Sequence, residues 1–191
     1  LFPYTTLFRS RKNRILIVVP TRELAIQIQN ELIGFTQGMK IFSVCCVGGA
    51  YIGKQLSELR YVNEFIIGTP GRLKDLIERK AIHLKEFSTI VLDEADRMLD
   101  MGFIHDIKRI ISLLPRHRQS LLFSATFSDA IRTLAKGLLD KPVEIDVSPR
   151  NTTAIAVQQT VHPVDKSQKA ALLSHLIHKN KWGQTLVFTK T

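Results

Sequence analysis

Residues 89–96 read Thr89-Ile90-Val91-Leu92-Asp93-Glu94-Ala95-Asp96. A β-branched residue followed by three aliphatic ones, with no polar alternation, describes a short strand buried on both faces. The strand runs straight into adjacent acids. In open α/β sheets ligands bind at the carboxyl ends of the strands. An acid at such an end can serve Mg²⁺, a hard ion that keeps several waters and takes one or two carboxylates plus substrate phosphate. Asp93 fits that ligand role through water, and Glu94 fits a general base for an attacking water. Two adjacent acids alone also fit a solvated strand end. The tetrapeptide DEAD in this setting favours the chemical reading.

The same rhythm extends in both directions. Apolar runs rich in Val and Ile predict strands over 15–19, 41–47, 64–67, 89–92, 120–123 and 143–147. Amphipathic stretches between them predict helices over 22–35, 52–61, 71–79, 104–114 and 129–139. Strand-helix alternation implies βαβ units, hence an α/β fold with a mainly parallel sheet and helices on both faces. Residues 148–153 are polar and carry Pro149, so they read as a linker. An extended segment over 155–164, a helix over 166–178 and a strand over 185–188 then open a second α/β unit. The expected organisation is a first domain over 11–147, a linker over 148–153 and the beginning of a second domain over 154–191. Residues 1–10, LFPYTTLFRS, show no strand or helix period and lack the basic and apolar regions of a signal peptide. They resemble a translated adapter or assembly remnant and stand outside the fold reasoning.

Composition narrows the classes. Of 191 residues, 45% are hydrophobic and 23% charged, which supports a packed core and excludes wholesale disorder. Lys and Arg number 27 against 17 acids, and the net charge of +10 favours a polyanionic partner such as nucleic acid. No apolar run approaches the ~20 residues of a membrane span, so no membrane partner is expected. The two cysteines, Cys45 and Cys46, are adjacent, which excludes a disulfide framework and suggests the cytoplasm. His175 and His178 share a helix face without completing a zinc set, and read as surface or interface residues.

Three more turns carry chemistry. Ser124-Ala125-Thr126 follows the strand over 120–123, where its hydroxyls could bond Asp96, while Ser128 reads as the N-cap of the next helix. Pro20-Thr21-Arg22-Glu23-Leu24-Ala25 and Thr69-Pro70-Gly71-Arg72-Leu73 each join a buried strand to a helix, with a Thr near the helix start and an Arg in or beside the first turn. In the second, Thr69 fits the N-cap and Pro70 the first helical position. Free N–H groups, the positive end of a helix dipole and an Arg make a phosphate site. Gly48-Gly49-Ala50-Tyr51-Ile52-Gly53-Lys54 matches G-x-x-x-x-G-K, but Gln55 stands where a phosphate loop needs Ser or Thr for Mg²⁺. The better reading is a Gly48-Gly49 turn that lets a nucleic-acid backbone approach, with Lys54 and Gln55 as ordinary helix residues.

PTRELA, Gly-Gly, TPGR, DEAD and SAT in this order resemble the DEAD-box family of ATP-dependent RNA helicases. The flanking residues 91–103, VLDEADRMLDMGF, resemble its bacterial RhlE-like branch. The resemblance implies two RecA-like domains that close on ATP, Mg²⁺ and RNA. It implies Asp93 as the Mg²⁺-linked acid and Glu94 as the hydrolytic base, both at the nucleotide. Asp96 with Ser124 and Thr126 is similar to the set coupling hydrolysis to strand separation. Pro20, Thr21, Arg22, Gly49, Thr69, Gly71 and Arg72 are similar to RNA-backbone contacts. Leu186-Val187-Phe188-Thr189-Lys190-Thr191 resembles the first motif of the second domain. The family's adenine-reading motif, true phosphate loop and arginine finger have no counterpart in the sequence, so the chain alone is expected to show no RNA-stimulated ATPase. Two other readings stay open: a non-catalytic RNA-backbone-binding module, and a DNA translocase of the same superfamily.

Overall fold

In the computed structural model the described residues are 14–146, 158 and 160–189. The chain divides into two compact units between Val143 and Glu144. In the first, β1 (Arg14–Val18) leads to α1 (Arg22–Phe35), β2 (Ser43–Cys46) to α2 (Ile52–Glu58), and β3 (Phe65–Gly68) to α3 (Pro70–Glu78). Next come β4 (Phe87–Leu92), α4 (Ala95–Asp100), α5 (Ile104–Leu113), β5 (Gln119–Leu122) and α6 (Asp129–Leu138). The strands form one sheet in the order β2-β3-β1-β4-β5, and every neighbouring pair is parallel. Leu16 at its centre stands opposite Ile66 on one side and Ile90 on the other.

Side-chain alternation along β1 divides the core in two. Leu16 and Val18 join Ile66, Ile90, Leu73, Met98, Ile107 and Ile131 on the face covered by α2 to α6. Ile17 and Val19 join Ile67 and Val47 on the other face, where α1 packs through Ala25 and Ile28. Apolar residues on both faces explain why the strands read as continuous hydrophobic runs. Among the described residues a single helix covers the second face, and Leu121 and Phe123 near β5 stay exposed.

Several boundaries move for local reasons. The helix expected over 52–61 stops at Glu58, because the Asn63 side chain donates to the carbonyls of Glu58 and Tyr61 and closes the chain into a turn. α4 was not anticipated. Its Ala95, Met98 and Leu99 lie at helical spacing and pack into the core. The strand expected over 143–147 is absent over 143–146, and Val147 lies outside the described residues. Val143 and Ile145 are more than four-fifths exposed. Their alternation reads as a strand, but β-propensity forms no ladder without a neighbouring strand, and among the described residues β5 pairs only with β4.

In the second unit a 3₁₀ turn, Lys166–Gln168, leads into α7 (Lys169–Asn180), as the helix over 166–178 anticipated. His175 and His178 are exposed on it. No strand forms over 185–188, where Leu186 and Phe188 are at least four-fifths exposed and no paired strand accompanies them among the described residues. The segment over 155–164 lies partly outside the described residues, and the linker over 148–153 and residues 1–10 lie wholly outside them. Among the described residues, no helix is long and apolar enough to cross a membrane.

Candidate functional site

Because all five strands are parallel, their carboxyl ends share one edge, and each motif begins there. At the β4 end, Asp93 donates its N–H to the Val18 carbonyl (3.0 Å) and Ala95 donates to the Phe123 carbonyl (3.0 Å). The acid turn is thereby strapped between β1 and β5. Glu94 takes a left-handed backbone (φ 49°, ψ 50°), which costs a residue with a Cβ about 1–2 kcal/mol. Asp93 Oδ1 accepts the Glu94 N–H at 2.9 Å and helps to hold that turn. Arg97 Nη1 donates to Glu94 Oε2 at 3.2 Å.

Asp96 connects this turn to the next. Its Oδ2 accepts both the N–H and the hydroxyl of Thr126, each at 3.0 Å, and its Oδ1 accepts the Arg97 N–H at 3.1 Å. Burial pushes the Asp96 carboxyl up, but the Thr126 hydroxyl and the Arg97 and Thr126 N–H groups outweigh it and hold the carboxyl below its ordinary value of 3.8. A depressed folded-state pKa contributes stability that is present above the unfolded value and lost as pH falls through the folded one. Thr126→Ala should therefore move the Asp96 titration upward, which carboxyl ¹³C NMR measures directly. An unmoved titration would show that the hydroxyl bond is energetically silent. Ser124 behaves differently from the expectation: its hydroxyl donates to the Thr126 carbonyl at 2.7 Å and closes the turn, and Thr126 alone reaches Asp96. Ser128 caps α6 by accepting the Ile131 N–H.

The β1, β3 and β2 ends form a second cluster. Thr21 caps α1, its Oγ1 accepting the Leu24 N–H at 3.3 Å. Beside the buried Pro20 begins α1, with Arg22 in its first turn. Gly49 has φ +71°, and a Cβ there would collide with the Arg22 guanidinium. The backbone at that position favours glycine, while the Arg22 guanidinium, at the end of a flexible exposed side chain, could swing aside from a Cβ. Arg72 donates through Nη1 and Nη2 to the Ala50 carbonyl, each at 3.2 Å. Arg22 and Arg72 thus reach from two turns onto the Gly49-Ala50 turn. Thr69 sits at the N-cap of α3 with Pro70 beginning the helix, but its side chain makes no capping bond; its N–H donates to the Cys46 carbonyl. Gly71 is exposed, and a Cβ there would meet open space.

Sequence reading missed three contributors. Ala50 acts through its carbonyl, which no side-chain pattern reveals. Gly68 touches β2 so closely that a Cβ would overlap the Cys46 carbonyl, a role that glycine inside a strand pattern can signal. Gln55 is not an ordinary helix residue: it is buried, and its Nε2 donates to the Val47 carbonyl at 3.1 Å. Lys54, by contrast, is exposed and pairs loosely with Glu58 (3.9 Å), on the helix that follows the edge strand β2, away from the β4 end that carries Asp93. Burial pushes the Cys45 thiol up to about 11 and the Cys46 thiol up to about 12, so neither is a ready nucleophile.

Residues 1–134 match the DEAD/DEAH box helicase family. The DEAD-box ATP-dependent RNA helicase CshA of Streptococcus pneumoniae is 41% identical over 178 residues, covering 92% of this chain and 34% of its own length. The ATP-dependent RNA helicase RhlB of Pseudomonas putida is 42% identical over 178 residues, covering 92% of this chain and 45% of its own length. The chain thus spans between a third and a half of the curated relatives it matches. The crystal structure of a hypothetical ATP-dependent RNA helicase from Sulfolobus tokodaii superposes with a TM-score of 0.66 at 33% identity, over 73% of this chain and 40% of that one. That likeness identifies the parallel sheet as RecA-like. Sequence, sheet order and the acid turn agree, and the chain belongs to the DEAD/DEAH box helicase family.

Proposed function

We propose that the chain is part of an ATP-dependent RNA helicase that couples ATP hydrolysis to local separation of RNA strands. The observation that carries this reading is the Asp96–Thr126 bond. It joins the acid turn after β4 to the turn after β5, on the same sheet edge as the Arg22–Gly49–Arg72 cluster. A change at the nucleotide acids can therefore pass through backbone turns along one edge to the RNA side. We place the beginning of a second RecA-like domain after the linker, and the protein in the cytoplasm, where the free Cys45 and Cys46 thiols stay reduced.

The residues present fit Mg²⁺ as a nucleotide-bound ion. Among the described residues no group of three or more His, Cys, Asp or Glu forms an all-protein cage. One strand-end carboxylate with waters and phosphates suits Mg²⁺. Asp93 would hold the ion through water, with Oδ1 already engaged by the Glu94 N–H. Bound there, Mg²⁺ neutralises phosphate charge. Glu94 would orient the attacking water and accept its proton, with Oε2 paired to Arg97 and Oε1 as the acceptor.

RNA would lie along Thr21, Arg22, Gly49, Thr69, Gly71 and Arg72, beside Pro20, touched through its phosphates and with little sequence preference. The test is fluorescence anisotropy of a labelled single-stranded RNA against the chain over a KCl series. Arg22→Ala with Arg72→Ala should weaken binding and flatten the slope of log K against log salt by about 1.4, at ~0.7 per lost phosphate contact. Unchanged affinity and slope would remove this cluster from the RNA path. Equal affinity for the DNA strand of the same sequence would favour a DNA translocase instead.

A further inference from the structure

Among the described residues of the first unit, the loop bases sit at the opposite ends of the strands from the motif turns. The six helices of the first unit carry nine bases and nine acids. The turns that leave the carboxyl ends of the strands carry Asp93 and Glu94 and no Lys or Arg, since Arg22 and Arg72 already belong to helices. The connections entering the strands, over 36–42, 59–64, 79–86 and 114–118, are different. They hold seven bases against Glu64 and Glu86. Both acids are spoken for: Glu64 is buried and accepts the Phe42 N–H, and Glu86 pairs with Arg14 at 2.8 Å. Of the bases, Arg79 pairs with Asp75, and Arg118 donates to the Pro115 and Leu138 carbonyls. Lys40, Arg60, Lys80, Lys85 and Arg116 remain exposed, with no ion pair among the described residues.

Sheet order arranges these cations. Lys40 precedes β2, Arg60 precedes β3, Lys80 and Lys85 precede β4, and Arg116 precedes β5. With strands ~4.8 Å apart, they follow the amino-terminal edge over roughly 20 Å. The dipole of α3 accounts for a base at Lys80, but Lys40 and Lys85 lie well past any α-helix end. An aromatic stands among them. Tyr61 is about three-quarters exposed and lines a depression of about 190 Å³ together with Arg14, Arg60, His83 and Glu86. Cations in a row with an exposed ring between them suit a phosphate backbone whose bases can stack.

We propose that the amino-terminal edge of the sheet is a second RNA-binding surface, which holds a single-stranded segment of the substrate on the side opposite the DEAD and TPGR turns. Contact there is with phosphates and is sequence-independent, with Tyr61 as a stacking platform. The surface would tether RNA while the carboxyl edge acts on it. This goes beyond the proposed function and does not need ATP.

The test is anisotropy of the whole chain with a labelled 20-nucleotide oligouridine, repeated with a labelled polyglutamate peptide. In the triple variant Lys80→Gln, Lys85→Gln and Arg116→Gln, RNA affinity should fall about 10-fold or more at low salt and the salt slope should flatten by about 2. Tyr61→Ala alone should weaken binding several-fold and leave the slope unchanged, the mark of stacking rather than charge. All four side chains are exposed, so the variants should fold, which far-UV circular dichroism checks. Wild-type affinity and slope in the triple variant would overturn the proposal. So would loss of polyglutamate binding with RNA binding intact, since the edge would then be a site for an acidic protein segment. The Arg22→Ala, Arg72→Ala chain separates the two surfaces: loss there with the triple variant unaffected defeats this inference alone, and the reverse defeats the carboxyl-edge RNA path alone.

Discussion

In a helicase carrying this chain together with a phosphate-gripping loop, Glu94→Gln should lower RNA-stimulated ATP turnover by about 10²–10⁴-fold, the usual worth of a positioned base. The amide matches the carboxylate in size and keeps an oxygen to accept from Arg97, so the Arg97 contact at 3.2 Å can survive. The left-handed backbone at Glu94 is no worse for Gln than for Glu. What the amide cannot do is take a proton from water. Steady-state turnover with saturating RNA reads the effect, and nucleotide affinity should stay within about threefold, since the loss falls on the transition state. Turnover within about tenfold of wild type would take the base role away from Glu94. A large loss of nucleotide affinity would instead place Glu94 among the groups that bind the ground state.

The parallel sheet was legible because its strands are buried on both faces. Ile15 to Val19, Phe65 to Ile67 and Ile90 to Leu92 leave little room for a half-exposed strand. The motifs were legible because each lies where a strand meets a helix, and parallel topology then gathers those points on one edge. Sequence could not show which turns would touch. That Arg22 and Arg72 both converge on Gly49-Ala50 follows from β2 and β3 lying side by side, with β1 next to β3. Ser124 and Thr126 look equivalent in sequence, and only the turn geometry assigns Thr126 to Asp96 and Ser124 to the turn itself. The strands expected over 143–147 and 185–188 failed for one reason: a strand is completed by its neighbour, and a residue pattern carries no information about whether a neighbour is there. Net charge was limited in a similar way. The total of +10 pointed to a polyanionic partner but not to a place, and the loops put five exposed bases without an ion pair at the end of the strands opposite the motifs.

Phe87→Ala should destabilise the first unit by about 3–5 kcal/mol, the range for removing a buried aromatic side chain. Phe87 opens β4 and is 1% exposed, so truncation leaves a cavity that its neighbours can close only in part. It also loses a partner. The Arg14 guanidinium lies 5.0 Å from the ring centroid, held by Glu86 at 2.8 Å and by the Asn63 carbonyl at 2.8 Å. Such a cation–π contact adds about 0.5–1 kcal/mol where the cation stays partly hydrated. The ring and Arg14 also mark the irregularity in the β1–β4 pairing, where Arg14 stands opposite Phe87 but Ile15 stands opposite Thr89. Losing both would loosen the register of the strand that ends in Asp93. Urea unfolding followed by circular dichroism should show the midpoint falling by ~1–5 M, given slopes of about 1–3 kcal/mol/M. Leu121→Ala on β5 is the counterpart, because Leu121 is already 37% exposed and should cost well under half as much. Equal losses at the two positions would mean that the sheet does not unfold as one body anchored at β4. A Phe87→Leu variant that kept most of the stability would assign the effect to volume, and one that lost most of it would assign it to the ring and its cation.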